Sequence, residues 1–269
     1  MSLRALCPLI LSSLAVMAMS CQSTPSPDPR PLRVAVFQDG EQYREFAQDC
    51  IDVIEPIPDV TVEIVSGDAV RGGALEGVDV LLFPGGTGGG QCRALGPEGG
   101  AIVRDFAEAG GGVVGVCAGG YSLIRGEGEG DVFSNVELVN ADLLDGEHWE
   151  RGIGMVEVAP AAEGAAPFEM LYYNGPLWLP GSDDSLPAYA VLATFVGEMH
   201  ENNAPEGVMP GTPAIIAAPL GMGRVVLFSP HPEKSPGHEW LLDRAVRWAA
   251  QGAVAEGEEV SWESVFGGD

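Results

Sequence analysis

A cysteine in a glycine-rich turn is the first residue of this sequence whose setting points to chemistry. Cys117 stands in residues 115–121 (GVCAGGY), where a buried apolar strand runs into the expected start of a helix. This is the thiol counterpart of the nucleophile elbow G-x-S-x-G. The helix start favours the thiolate, and the N–H of Ala118 points toward a developing oxyanion. The segment therefore predicts Cys117 as a nucleophile.

A histidine and a glutamate follow another apolar run, in residues 229–233 (SPHPE). The prolines on both sides of His231 are expected to hold the segment extended, so that His231 and Glu233 lie on the same side. A carboxylate in that position orients an imidazole, and the imidazole in turn activates a thiol. The pattern predicts His231 as the general base and Glu233 as its orienting group.

Residues 84–90 (PGGTGGG) mark a third strand end, where glycines let backbone N–H groups approach a ligand closely. Doubly wound sheets place their sites beyond the carboxyl ends of the strands, so the three segments are expected to meet. Each segment alone is a weak signal. A cysteine in a buried glycine turn, for example, is more often structural than catalytic. In combination they predict a Cys–His–Glu site.

The elements that must position these residues alternate between strand and helix. Apolar runs predict strands at 32–37, 60–65, 78–83 and 113–116, and helical spacing predicts helices over 43–54 and 97–109. This alternation predicts an α/β fold with a doubly wound, mainly parallel sheet covered on both faces. Further strands are expected at 136–139, 189–195, 214–218 and 225–229, and a last helix ends before Gly252. One domain over 32–252 follows.

The charge balance restricts the partners. Thirteen Lys and Arg residues against 39 Asp and Glu give a net charge of −26, which argues against nucleic acid and against electrostatic docking on anionic lipid. The chain is 46% hydrophobic and 19% charged, a composition that can build a core. We expect a small-molecule amide or ester as substrate, and a negative field at the site that disfavours anionic substrates. The oligomeric state stays open.

No metal or cofactor is expected. The G-x-G-x-x-G at residues 110–115 precedes a strand instead of following one, which is the reverse of the dinucleotide-binding arrangement. No H-E-x-x-H pattern occurs for zinc. Residues 127–150 contain eight acidic residues and no Lys or Arg, but they lack the D-x-D-x-D-G pattern of a calcium loop. A solvated loop or flap therefore explains residues 127–150 better than a calcium site does.

The N-terminal residues have the pattern of an export signal. Residues 1–20 combine a short basic start with an apolar run too short to span a bilayer, and Cys21 follows at the expected cleavage point. The segment resembles a bacterial lipoprotein signal, with Cys21 acylated and residues 21–31 as a Ser/Pro-rich tether. This predicts a lipid-anchored protein of the cell envelope, on the periplasmic or extracellular side. The alternative is an ordinary secretory signal in which Cys21 is incidental.

Two further parts of the sequence leave alternatives open. Cys50 and Cys92 could pair in an exported chain, but Cys50 lies on the apolar face of its helix, which favours a buried free thiol. The acidic tail 253–269 has no assigned role, although its apolar residues are able to dock on the domain: Val260, Trp262, Val265 and Phe266.

The strand-end segments LLFPGG, GVCAGGY and VVLFSPHPE resemble the class I glutamine amidotransferase-like superfamily. With the later YYNGP, the sequence is most similar to the biotin-protein ligase N-terminal domain family over nearly all of 32–250. The resemblance implies a flavodoxin-like sheet and a triad of Cys117, His231 and Glu233. It also implies an oxyanion hole formed by the backbone N–H groups of Gly86 and Ala118.

The same resemblance places four more residues at the substrate: Gly85, Tyr121, Tyr173 and Asn174. Tyr121 stands where glutamine amidotransferases usually carry a glutamine that helps hold the substrate, so glutamine is not the favoured substrate. No biotin-ligase catalytic domain follows in this sequence, and biotin-ligase activity is therefore not expected.

Two functions are compatible with these residues. The first is a Cys-dependent amide or ester hydrolase or acyl transferase. The second is a catalytically silent small-molecule-binding lipoprotein that keeps the fold. A Cys117 sulfur within hydrogen-bond reach of His231, with His231 held by Glu233, favours the first. A sulfur buried behind Tyr121 or a histidine turned away favours the second.

Overall fold

Residues 30–126 and 136–267 are described by a computed structural model of the chain. The predicted signal segment 1–20, the predicted lipidation site Cys21 and most of the tether 21–31 lie outside the described residues. Part of the acidic stretch 127–150 lies outside them too.

The described residues form eleven strands and six α-helices. The strands are β1 (Leu32–Phe37), β2 (Val60–Val65), β3 (Val80–Phe83), β4 (Gly112–Val116), β5 (Ala141–Leu143), β6 (Ile153–Pro160), β7 (Phe168–Tyr173), β8 (Trp178–Pro180), β9 (Ala190–Phe195), β10 (Pro213–Leu220) and β11 (Gly223–Phe228). The helices are α1 (Arg44–Ile54), α2 (Gly67–Arg71), α3 (Gly88–Glu108), α4 (Ala118–Ser122), α5 (Trp240–Ala249) and α6 (Trp262–Phe266).

Nine strands form one mixed sheet in the order β2-β1-β3-β4-β11-β10-β9-β6-β7. Pairing is parallel from β2 through β11 and antiparallel from β11 through β7. Strands β5 and β8 form a separate antiparallel pair. Because β3, β4 and β11 are adjacent and parallel, their carboxyl ends bring together the three segments expected to form a site.

Alternate residues of the central strands pack on opposite faces of the sheet. Val34 and Val36 of β1 join a core cluster with residues of α1 and α5, whereas Ala35 and Phe37 join a cluster with residues of α2 and α3. All four side chains are essentially inaccessible to solvent. Because successive strand residues point to opposite faces and both sets are apolar, helices cover the parallel part of the sheet on both faces, as predicted.

The predicted helix over 97–109 is longer than expected. Helix α3 begins at Gly88, because the Thr87 side chain accepts a hydrogen bond from the Gly90 N–H at 3.1 Å and caps the first turn. Gly96 has a φ of 61° and breaks α3 into two segments, of which the second begins at Pro97. The glycine run thus begins a helix as well as forming a loop.

The prediction of a strand at 136–139 is wrong. Only Val139 makes an isolated bridge there, to Ile124, and the nearest strand is β5. Strands β6 and β7 have no counterpart in the sequence prediction. They pair with each other and, through β6, with β9, so partners distant in sequence stabilise them.

The C-terminal tail contains helix α6, capped by reciprocal hydrogen bonds between Ser261 and Ser264. Val265 and Phe266 are 3% exposed, and the Phe266 ring lies 6.1 Å from that of Phe228. Val265 and Phe266 therefore pack against the rest of the domain, which their apolar side chains had suggested.

Across residues 30–126 and 136–267, every helix is too short or too polar to traverse a bilayer.

Candidate active site

Cys117 occupies a strained turn between β4 and α4. Its φ of 50° and ψ of −96° lie in a region that residues other than glycine rarely adopt, and its N–H is held by the Phe228 carbonyl at 2.8 Å. A Cβ on Gly119 would lie 2.5 Å from the Phe83 carbonyl oxygen, so this position requires glycine for α4 to pack against the end of β3. The local sequence thus forms the predicted elbow.

Gly119→Ala is expected to destabilise the protein by about 1–3 kcal/mol, because the added methyl group meets rigid backbone. Gly100→Ala is the matched control, since a Cβ on Gly100, also within a helix, would meet nothing within 4 Å. Its expected effect is a gain of up to about 1 kcal/mol from helix propensity. Thermal and urea unfolding of both variants checks the difference, and equal stability would contradict this account of the elbow.

His231 and Glu233 form a buried pair. The Nδ1 atom of His231 lies 2.6 Å from Oε1 of Glu233, and neither side chain is exposed to solvent. The expectation of an extended segment is wrong beyond His231: Pro232–Lys234 forms a short 3-10 helix, which proline favours at its first position. This turn, instead of an extended strand, places the two side chains face to face.

The His231 backbone is fixed from two sides. Its N–H donates to the Leu171 carbonyl of β7 at 2.8 Å, and its carbonyl accepts from the Ser235 hydroxyl at 2.6 Å. The same hydroxyl accepts from the Leu171 N–H at 2.9 Å. The antiparallel half of the sheet therefore holds the histidine in place.

The environment of His231 favours its protonated form. Burial alone would lower the pKa of His231, but the Glu233 carboxylate and the neighbouring Cys117 sulfur raise the pKa to about 10. The Cys117 thiol itself donates to the Tyr173 carbonyl oxygen at 3.3 Å. The Nε2 atom of His231 has no well-aligned hydrogen-bond partner among the described residues. Cys117 is thus close enough to influence the histidine, while its hydrogen bond is made to the backbone.

Two backbone amides adjoin the thiol. Gly86 and Ala118 both line the same cavity as Cys117, and the N–H of each has no acceptor among the described residues. Gly86 has a φ of 124°, which glycine adopts without strain. Both N–H groups are therefore candidate donors to a ligand oxygen at the strand ends.

A buried glutamine joins the two segments that carry these amides. Gln91 donates through Nε2 to the Pro84 carbonyl at 2.8 Å, and its Oε1 accepts from the Ser122 hydroxyl at 2.7 Å. It is 8% exposed. Because Pro84 precedes the glycine loop and Ser122 ends α4, this link fixes the distance between them. The sequence prediction did not include Gln91, because the predicted helix began only at residue 97 and the glycine run around Gln91 was interpreted as a loop.

A cavity of about 610 Å³ opens over Cys117. Its lining is aromatic and glycine-rich, with a single carboxylate: Tyr43, Phe46, Gly86, Thr87, Gly88, Gly89, Cys117, Ala118, Tyr121, Leu143, Gly146, Trp149, Glu150, Tyr173 and Asn174. This volume is within the range of small-molecule sites. The set includes six of the residues predicted for the site, and it adds the aromatic residues and the carboxylate that sequence reasoning missed.

Gly85, which was expected at the substrate, is buried and is not among the residues that line the cavity. A Cβ there would lie 2.7 Å from a ring carbon of Phe46 and 2.8 Å from Cε1 of His231. A side chain at Gly85 would therefore collide with the histidine ring and with Phe46.

Tyr121 and Asn174 are tied to each other. The Tyr121 hydroxyl donates to the Asn174 carbonyl at 2.9 Å, and burial raises the pKa of Tyr121 well above its usual value. The Asn174 side chain accepts from the Gly152 N–H at 2.8 Å, and its φ is 51°. Both residues line the cavity, but these polar atoms stabilise its wall. Tyr121 does not hydrogen-bond the Cys117 sulfur.

The other cysteines are buried thiols. Cys50 is fully inaccessible, and burial raises its pKa; burial also raises the pKa of Cys92 to about 11. No disulfide joins the two within the described part of the chain, which agrees with the preferred prediction of a buried free thiol at Cys50. Among the described residues, no group of His, Cys, Asp and Glu side chains is arranged to hold a metal ion.

No family model and no curated protein matches the chain. A ThuA-like protein from Parabacteroides merdae is 15% identical, with a TM-score of 0.52 over 86% of this chain and 93% of that one. A second, from Bacteroides uniformis, is 14% identical, with a TM-score of 0.52 over 85% and 95%. A glutamine amidotransferase from Thermotoga maritima is 13% identical, with a TM-score of 0.47 over 76% and 77%.

The likeness to the ThuA-like proteins shows the fold, which is consistent with the expected class I glutamine amidotransferase-like fold. The chain also matches GH42 β-galactosidases, but it spans less than a third of their length. Membership in the biotin-protein ligase N-terminal domain family stays a prediction.

Proposed function

We propose that the protein is a Cys-dependent hydrolase or acyl transferase acting on small amides or esters, on a flavodoxin-like sheet. The observation that carries the proposal is a cysteine in a strained elbow that lines the cavity, with the buried His231–Glu233 pair beside it, although neither His231 nor Glu233 lines the cavity itself. The strand order β2-β1-β3-β4-β11 supports the flavodoxin-like part.

The chemistry begins with the thiol proton. In the reactive form this proton has already passed to Nε2 of His231, so that Cys117 is a thiolate beside an imidazolium that Glu233 stabilises at Nδ1. The Cys117 sulfur then bonds to the substrate carbonyl carbon, while the carbonyl oxygen takes the negative charge. The N–H groups of Gly86 and Ala118 donate to this oxyanion.

Collapse of the tetrahedral intermediate breaks the bond to the leaving amine or alcohol, which takes the proton from His231. The acyl group remains on sulfur as a thioester. His231 then removes a proton from water, the hydroxide attacks the thioester, and the thiolate leaves and recovers a proton. In acyl transfer, an amine or alcohol replaces the water.

The test is a panel of neutral amides and esters incubated with the full chain. Product release is followed by chromatography, and the covalent intermediate by intact mass. We expect turnover together with an acyl adduct located on Cys117 by peptide mapping. Absence of both product and adduct across the panel would reject catalysis.

The second candidate is a binding protein without turnover. Two observations favour it: the resting thiol donates to the Tyr173 carbonyl instead of His231, and Tyr121 replaces the usual glutamine. In that case members of the panel bind the cavity, measured by calorimetry, and are recovered unchanged.

The proposal includes a lipid anchor at Cys21, which would place the protein at the cell envelope. It follows from the sequence of residues 1–31. Mass spectrometry of the mature N-terminus checks it: we expect a diacylglyceryl-modified Cys21, and an unmodified Cys21 would reject the anchor.

A further inference from the structure

The cavity above Cys117 is lined by aromatic rings and by one charged group. Five of its fifteen lining residues are aromatic: Tyr43, Phe46, Tyr121, Trp149 and Tyr173. The rings of Phe46 and Tyr173 lie edge to face, with centroids 6.1 Å apart. Among the lining residues, no Lys, Arg or His accompanies the carboxylate of Glu150.

Glu150 and Trp149 lie next to each other on the same wall. Trp149 is 50% exposed and lines the cavity, so part of its side chain is accessible to a ligand. Glu150 is exposed, and no ion pair to its carboxylate is formed among the described residues. A carboxylate beside an open indole is a combination that recognises cations, because both the negative charge and the ring face attract them.

The wall formed by Trp149 and Glu150 is held in place by Arg151, the next residue in the chain. The Arg151 side chain is 1% exposed, forms an ion pair with Asp145, and donates to the carbonyls of Met199 and Pro205 at 3.4 and 3.3 Å. The Glu150 carbonyl also accepts from the Asn202 side chain at 2.8 Å. The backbone that presents Glu150 is therefore held from several sides, as preorganised recognition requires.

The neighbouring cations are already neutralised. Arg151 is paired with Asp145, and Lys234, which lies 5.5 Å from the centre of the Phe46 ring, is paired with Asp49 at 2.6 Å. The formal charge of −26 on the whole chain favours a negative field over the cavity. A cationic ligand gains from this field, whereas an anionic ligand meets no free positive side chain at the wall.

We propose that the cavity selects substrates that carry a cationic nitrogen, an ammonium or quaternary ammonium group, bound by Glu150 and the Trp149 ring. The inference rests on the proposed function for the reaction at Cys117, but recognition of the cation requires no turnover. Glu150 and Trp149 are specificity residues and take no part in bond making.

The test uses three esters that share one acyl group and differ only in the group at the far end of the alcohol chain, which is trimethylammonium, tert-butyl or carboxylate. Each ester is named below by this terminal group. The first two have the same shape and differ in charge. Binding is measured by calorimetry with the full-length Cys117→Ala protein, which lacks the sulfur nucleophile. We expect the trimethylammonium ester to bind on the order of tenfold more tightly than the tert-butyl ester, and the carboxylate ester to bind most weakly.

Glu150→Gln in the same background is expected to reduce the preference for the cation to roughly threefold or less and to leave binding of the tert-butyl ester unchanged. Glu147→Gln is the matched control, because Glu147 is also exposed but does not line the cavity. It should retain the full preference. Equal binding of the three esters, no binding of the trimethylammonium ester, or a preference that survives Glu150→Gln would each overturn the inference.

Turnover by the wild type separates this inference from the proposed function. Hydrolysis of the tert-butyl ester without preference for the cation rejects cation selection and leaves the reaction in place. Preferential binding of the cation with no turnover of any ester rejects the reaction and leaves cation selection in place.

Discussion

Cys117→Ala is expected to lower turnover of amide or ester substrates by roughly 10³- to 10⁶-fold, to the level supported by binding and backbone donors alone. Among the residues that line the cavity, Cys117 is the only nucleophile that has a buried imidazole, that of His231, beside it. Removing its sulfur leaves His231 and Glu233 with no group to activate. Steady-state rates on the best ester of the panel, with intact mass to follow the adduct, measure the loss.

Cys92→Ala is the matched control for this loss. Cys92 is also buried, but burial raises its pKa to about 11, and it does not line the cavity. Its substitution should leave the rate within about twofold of the wild type, since no reacting atom is removed. Far-ultraviolet circular dichroism and unfolding curves verify that both variants fold. Turnover that persists in folded Cys117→Ala would show that the nucleophile lies elsewhere.

The elements around the site could be predicted from sequence because their signals are local. Strand β1 was predicted at its exact bounds, and the turn at Cys117 follows from an apolar strand that meets small residues. The roles of Cys117, His231 and Glu233 stay predictions, although the structure places all three at adjacent strand ends. Parallel packing of buried strands produces this placement, and apolar runs reveal such strands directly.

The walls of the cavity could not be predicted in the same way. Strands β6 and β7 are stabilised by pairing with each other and with β9, so their short alternating segments carry little signal of their own. The position of Glu150 depends on the partly buried ion pair between Arg151 and Asp145 and on contacts with a loop about 50 residues later in the chain. Such long-range polar contacts leave no periodic pattern.

Glu233→Gln is expected to lower both thiol reactivity and stability. In the wild type, Glu233 is the principal group that raises the pKa of His231 against the effect of burial. Without the carboxylate, burial prevails, the imidazole becomes neutral at pH 7, and the thiolate loses a cationic partner. Alkylation of Cys117 by iodoacetamide at pH 7 should slow by roughly 10- to 100-fold. Removing one member of a buried ion pair typically costs about 3–5 kcal/mol of unfolding free energy.

The stability difference between wild type and Glu233→Gln has a defined pH dependence. Because the folded pKa of His231 is raised to about 10, the folded wild type binds more protons than the unfolded chain between the ordinary histidine value, about 6.5, and that pH. The pair's contribution is complete below about pH 6.5 and is lost as the pH rises through about 10. In the variant, burial lowers the pKa of His231, so acid destabilises it. The difference should therefore be largest near pH 6 and should shrink toward pH 10.

Urea unfolding at pH 6, 8 and 10 measures this trend, with Glu239→Gln as the control. Glu239 is half-buried, and among the described residues its carboxylate accepts from the nearby Gly237 N–H, with no ionisable partner, so its variant should match the wild type at every pH. A difference between wild type and Glu233→Gln that stays constant from pH 6 to pH 10 would mean that His231 is neutral in the folded protein. Glu233 would then act by orienting the imidazole through a hydrogen bond between neutral His231 and the carboxylate, and the slowed alkylation would report a lost orientation instead of a lost charge.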